Sequence, residues 1–145
     1  MTDPFLEAAL EQARVGAAEG GIPIGAVLVR GDQILGRGRN RRVQAGDPIL
    51  HAEIDCLRDA GRVGDYRDTV LYSTLMPCLM CAGAVAQFRI PKVVAGESET
   101  FAGERAFLEQ RSVVVVDLHS AECIALLGAF VRAHPELWRE DIGSL

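Results

Sequence analysis

Residues 69–95 read Thr69-Val-Leu-Tyr-Ser-Thr-Leu-Met-Pro-Cys-Leu-Met-Cys-Ala-Gly-Ala-Val-Ala-Gln-Phe-Arg-Ile-Pro-Lys-Val-Val-Ala95. Thr69 to Ser73 reads as a strand. Cys78 to Phe88 reads as a helix that opens just after Pro77 and carries the small residues Ala82, Gly83, Ala84 and Ala86. Lys92 to Ala95 is a short β-branched run, the pattern of a buried strand. A helix between two such strands implies that they lie parallel.

Upstream, Asp3 and Pro4 read as an N-cap and first helical residue, and apolar residues at 5, 6, 9, 10 and 13 follow at helical spacing. Gly20-Gly21 stops that helix. Gly25 to Arg30 and Gln33 to Gly38 are β-prone runs about a turn at Gly31-Asp32, which predicts a hairpin. Arg39 to Ile49 reads as a polar loop, and His51 to Ala60 as a helix closed by Gly61. Downstream, Val113 to Asp117 predicts a strand and Ser120 to Ala133 a helix, with a tail from Pro135 to Leu145 that holds the chain's one Trp. The order predicts an α/β fold: a three-layer α/β/α sandwich with a five-stranded mixed sheet and helices on both faces. A chain of 145 residues without a dividing linker predicts a single domain, 1–145.

Composition excludes several classes. The 49% hydrophobic content excludes a largely disordered chain. Fifteen basic against twenty acidic residues give a net charge of −5, which argues against a protein whose main task is holding long nucleic acid. Four cysteines are too few for a disulfide scaffold. The acidic start lacks a secretory pattern, and no run approaches the roughly 18 apolar residues of a membrane span. A cytoplasmic location and no membrane partner are expected.

Two fragments carry chemistry: His51-Ala52-Glu53 and Pro77-Cys78-Leu79-Met80-Cys81, each at a predicted helix start. Zinc takes imidazole nitrogen and thiolate sulfur in a tetrahedron. Cysteines three apart on the first turn of a helix can point at one ion, and the helix N-terminus favours the thiolate. Three protein ligands leave one position open, as in catalytic rather than structural zinc sites. Cys56 lies five residues after His51, about 140° around a helix, and should face elsewhere. Glu53, two residues from the His, suits proton transfer between water and a substrate nitrogen. His-x-Glu alone is weak, with about 0.2 chance matches expected, whereas Pro-Cys-x-x-Cys is far rarer, about 0.004. A redox Cys-x-x-Cys and a structural zinc site are the bland alternatives. The redox reading fits poorly, because thioredoxin-like motifs follow the first strand of a different pattern.

His-x-Glu with Pro-Cys-x-x-Cys is the signature of zinc nucleobase deaminases, and the chain resembles the cytidine-deaminase-like superfamily. Nearly its whole length is similar to the small fungal-type cytosine deaminases, through residues 19–25 (Glu-Gly-Gly-Ile-Pro-Ile-Gly), 35–40 (Leu-Gly-Arg-Gly-Arg-Asn), 50–54 (Leu-His-Ala-Glu-Ile), 71–78 (Leu-Tyr-Ser-Thr-Leu-Met-Pro-Cys), 113–117 and 138–143 (Trp-Arg-Glu-Asp-Ile-Gly). That resemblance implies deamination of free cytosine to uracil, one zinc per subunit and a homodimer. It implies that His51, Cys78 and Cys81 hold zinc and that Glu53 shuttles protons. Asn40 would bond the ring edge of the base, Asp141 the amino-group side, and Phe101 and Trp138 would pack near it, with segment 135–145 as a lid. The chain departs from the fungal pattern at Met76, where a small hydroxyl residue is usual, at Ala52, where glycine is usual, and by one residue fewer after Phe101. Rival expectations are a deaminase of guanine, another purine or a triazine, a tRNA adenosine deaminase, and a zinc module without activity.

Simpler roles compete at single positions. Asn40 reads equally as a turn residue, Trp138 and Phe101 as core, and Asp141 as a cap. Cys56 and Cys123 read as small buried hydrophobes. His119 and His134 read as surface or capping residues. Arg37, Arg39, Arg41 and Arg42 read as a solvated basic face.

Overall fold

The computed structural model describes residues 3–144. Helix α1 (Pro4–Ala18) is capped by the Asp3 carboxylate, which accepts from the N–H groups of Phe5 and Leu6. Strands β1 (Gly25–Arg30) and β2 (Gln33–Arg39) form the expected hairpin. The polar loop after β2 holds one helical turn, α2 (Arg42–Ala45), ended by Gly46 in the left-handed region. Helix α3 (Ala52–Ala60), strand β3 (Thr69–Ser73), helix α4 (Leu79–Phe88) and strand β4 (Lys92–Ala95) follow. Then come α5 (Arg105–Gln110), β5 (Val114–Asp117), α6 (Ala121–Ala133) and α7 (Pro135–Asp141). The tail thus contains a helix of its own, started by Pro135 at its first position. Among the described residues no helix is long and apolar enough to cross a membrane.

The sheet order is β2-β1-β3-β4-β5. β3, β4 and β5 pair in parallel, as the intervening helices require. β3 pairs antiparallel with β1, because the hairpin folds back before the chain crosses through α3. Strand β1 is buried along nearly its whole length, since helices cover both faces. The larger core joins Leu28, Leu71, Val93 and Val115 of the sheet to Ala52 and Cys56 of α3 and Val85 of α4. A smaller cluster joins Leu6 and Leu10 of α1 to Cys123 of α6, with Tyr72 packed against it.

Gly38 decides how closely α3 approaches the sheet. A Cβ there would stand 2.2 Å from the Cys56 backbone nitrogen and 2.6 Å from the Ala52 carbonyl oxygen. With hydrogen at that position, the first turn of α3 lies directly on β2. The start of β1, the end of β2, the end of β3 and the end of β4 all open at one end of the sheet. Asn40 N–H to Ile24 C=O (3.0 Å), Thr74 N–H to Gly25 C=O (2.9 Å) and Met76 N–H to Glu97 C=O (2.8 Å) lace these exits together. α/β sheets tend to place ligands at such an end.

Candidate active site

His51 and Cys78 are the N-cap residues of α3 and α4, both in extended backbone conformation. Cys81 sits within the first turn of α4 and is fully buried. This local geometry turns both thiols toward the imidazole. Cys78 Sγ is 3.4 Å from His51 Nδ1, and Cys81 Sγ is 3.8 Å from it. The three donor atoms lie within 4.8 Å of one another.

Proton sharing inside this group follows from the same closeness. A hydrogen bond from Cys81 outweighs burial and, with His51, holds the Cys78 thiol down at about 4. Its neighbour Cys81 is pushed well up, by that same bond to Cys78 and by burial. Burial pulls the His51 imidazole down, yet bonds to Asp141 and Cys78, with the charges of Asp141 and Glu53, raise it to about 10. A cluster that holds protons between soft and borderline donors releases them when a metal enters. One nitrogen and two sulfurs at this separation fit zinc. Among the described residues no fourth His, Cys, Asp or Glu atom joins them. Cys56 faces away, its thiol donating to the Gly36 carbonyl at 3.5 Å. Cys123 lies in the other cluster, against α1.

His51 uses its second nitrogen as well. Nε2 stands 3.2 Å from Asp141 Oδ1, and the Asp141 side chain is only 3% exposed. A carboxylate on the far nitrogen fixes the ring and tautomer of a metal-binding His. Sequence reading missed this contact, because nothing local to His51 points to the last turn of the chain. The same oxygen lies 3.4 Å from Asn40 Nδ2. Asn40 is fully buried, and its Oδ1 accepts from the Arg42 N–H at 3.0 Å. The turn reading of Asn40 holds, since it makes a bond two residues on, and the same residue lines a cavity beside His51.

That cavity has a volume of about 30 Å³. Its polar side is Asn40, His51, Glu53 and Asp141, and its apolar side is Ile24, Leu75, Met76, Phe101, Trp138 and Ile142. Glu53, in the first turn of α3, is 4% exposed. Burial, with the Cys78 thiolate nearby, pushes its carboxyl up to about 7. Trp138 is 5% exposed and is at once part of the core and of the cavity wall. Phe101 meets it edge-on, ring centroids 6.2 Å apart and planes at 89°. Met76 is fully buried in the wall, and Gly103 makes room for it: a Cβ at 103 would stand 2.5 Å from Met76 Cγ. Ile24, Leu75 and Ile142 fall in the stretches that carry the resemblance but were not singled out as wall residues, since side chains of this kind look like any core aliphatic.

Elsewhere the simpler readings meet mixed outcomes. The His119 side chain is 71% exposed, and His134 caps the junction of α6 and α7. The arginine run is not a free solvated face, and this corrects the expectation. Arg39 pairs with Glu19 at 2.8 Å, Arg41 with Asp55 at 2.9 Å and Arg42 with Glu140 at 3.1 Å. Of the four only Arg37 is exposed, and its backbone N–H donates to Asp59.

Comparison with known proteins agrees with this geometry. The family described as "Cytidine and deoxycytidylate deaminase zinc-binding region" matches residues 2–97. A cytosine deaminase of Candida albicans is 43% identical over 142 residues, 96% of this chain and 95% of that one. A tRNA-specific adenosine deaminase of Streptococcus pyogenes is 35% identical over 140 residues, 88% of each chain. A solved structure of guanine deaminase from Nitrosomonas europaea superposes with a TM-score of 0.71 at 26% identity, covering 90% of this chain and 85% of that one. With His51, Cys78 and Cys81 gathered to bind a metal ion and the family match spanning both motifs, the chain belongs to the zinc-binding cytidine and deoxycytidylate deaminase family and is a zinc-dependent deaminase.

Proposed function

We propose that the chain hydrolyses free cytosine to uracil and ammonia. The observation that carries this reading is the closure of the cavity by α7: Trp138, Asp141 and Ile142 all border it. As closed, about 30 Å³ holds one or two waters, so the helix must swing out to admit a ring. The hinge is His134, which ends α6 and precedes Pro135. Such a lid suits a small free base and leaves no room for an extended nucleotide loop. The 43% identity to a cytosine deaminase supports the same choice.

Each residue then has a task. His51, Cys78 and Cys81 hold zinc, which when bound lowers the pKa of a water into the neutral range. Glu53 accepts one proton of the attacking water and delivers it to ring nitrogen N3, then takes the second from the new C4 hydroxyl and gives it to the amine, which leaves as ammonia while the C4 carbonyl forms. Asn40 bonds the ring edge, its amide oriented by Arg42. Asp141 keeps Oδ1 on His51 and Asn40 and offers Oδ2 to the amino group. Phe101 and Trp138 pack on the ring and exclude water, which strengthens the polar contacts inside. Segment 135–144 acts as the lid of a single deaminase domain; Leu145 lies outside the described residues, as do Met1 and Thr2.

The likeness to tRNA and guanine deaminases makes the substrate the point to test. Paired arginines and a charge of −5 offer little to an anticodon loop. Ammonia release is to be measured with cytosine, cytidine, guanine, adenine and tRNA, with zinc content determined on the same sample. Cytosine is expected to turn over fastest. Faster turnover of guanine or of tRNA adenosine overturns the reading.

A homodimer is part of the proposal. The first turn of α4 presents Leu79 (59% exposed) and Met80 (38% exposed), with Gly83 one turn on along the same side. An apolar stripe at helical spacing suits a second copy of itself. Sedimentation is expected to give twice the 15.6 kDa chain mass. Leu79→Asp with Met80→Asp is expected to give the single-chain mass. Four free cysteines suit a reducing compartment, the cytoplasm.

A further inference from the structure

Glu97 stands two residues beyond β4 and has no exposed surface. Its Oε2 accepts from the backbone N–H groups of Glu99 at 2.8 Å and Thr100 at 2.9 Å. Its Oε1 has no hydrogen-bond partner among the described residues. An unpaired buried oxygen is costly, and neither the metal group nor the proton path uses Glu97. The other oxygen must offset that cost. What it does is tie down the turn at 98–100, and the next residue is Phe101.

The backbone of Glu97 is anchored on the opposite side. Its carbonyl accepts from the Met76 N–H at 2.8 Å. One buried residue thus links the Met76 wall of the cavity to the turn that delivers Phe101. Phe101 borders both the inner cavity and a wider cleft of about 480 Å³ outside it, and with His51, Cys78, Asp141 and Ile142 stands in the wall between them. Its edge rests on Trp138 of the lid.

We propose that Glu97 is a positioning residue: its buried carboxyl group sets the 98–100 turn so that Phe101 closes the cavity against Trp138. This rests on the reading of that cavity as the substrate pocket.

Glu97→Met keeps the volume, removes the acceptor and removes the unpaired oxygen, so the fold has no new buried polar group on that side chain. Zinc content and Tm are expected to stay near the parent values. Acrylamide quenching of Trp138, the chain's one tryptophan, is expected to rise at least twofold. KM for cytosine is expected to rise about tenfold, with kcat changed by less than about threefold. Glu97→Gln retains a carbonyl acceptor and is expected to restore both. In a Phe101→Ala background, Glu97→Met is expected to leave KM where it is. Parental quenching and KM in Glu97→Met, or an undiminished effect without Phe101, overturn the proposal. Should the Met variant fail to fold, amide exchange in the parent decides: the Glu99 and Thr100 amides are expected to be protected, and solvent-like exchange at both overturns the idea. Quenching and exchange need no turnover. A chain inactive on cytosine therefore defeats the assigned substrate while leaving this role still measured.

Discussion

Glu53→Gln is expected to bind a full equivalent of zinc and to deaminate cytosine about 10³-fold more slowly, a barrier increase of about 4 kcal/mol. The amide matches the carboxyl in shape, its site is 4% exposed, and Glu53 is not among the three metal donors, so binding of the metal and folding persist. Lost is the capacity to take a proton and return it. Metal analysis and single-turnover kinetics on one preparation check this. Near-parental turnover with full zinc removes Glu53 from the proton path and leaves the assignment of the metal donors untouched.

Cys81→Ala is expected to abolish both zinc retention and activity. Cys81 is fully buried and supplies one of three donors, so its loss leaves His51 and Cys78 to hold the ion alone. Ligand binding stabilises the folded state by mass action, and the parent should therefore lose Tm on chelation. The variant should melt at one temperature with or without chelator. Melting curves with and without a chelator, beside metal analysis, test it. A Cys81→Ala protein that keeps stoichiometric zinc would mean that another donor completes the site.

The two largest effects fall on residues visible in the sequence, and the reason is local. His51 and Glu53 share one helix start, and Cys78 and Cys81 another, so placement within each pair is local, while the sheet brings the two pairs together. Most element boundaries were legible for the same cause: Asp3 and Ser120 cap helices with their own side chains, and Pro135 opens one. The short α2 turn was hidden, because four residues carry too little periodicity to stand out from a polar loop. The arginine run was misjudged since its partners are remote: Glu19 lies on the far side of the hairpin and Glu140 is 98 positions along the chain from Arg42.

Order of elements, three donors for a metal and a carboxyl group beside them were determined by sequence, through spacings of a few residues that a helix or strand converts directly into direction. Tertiary structure alone decided that Asp141 reaches the second nitrogen of His51, that Asn40 lies beside it 101 positions away, and that Trp138 serves core and cavity together. Such contacts come from the way α7 folds back over the open end of the sheet. They depend on the packing of surfaces brought together by the whole chain, which no local pattern encodes.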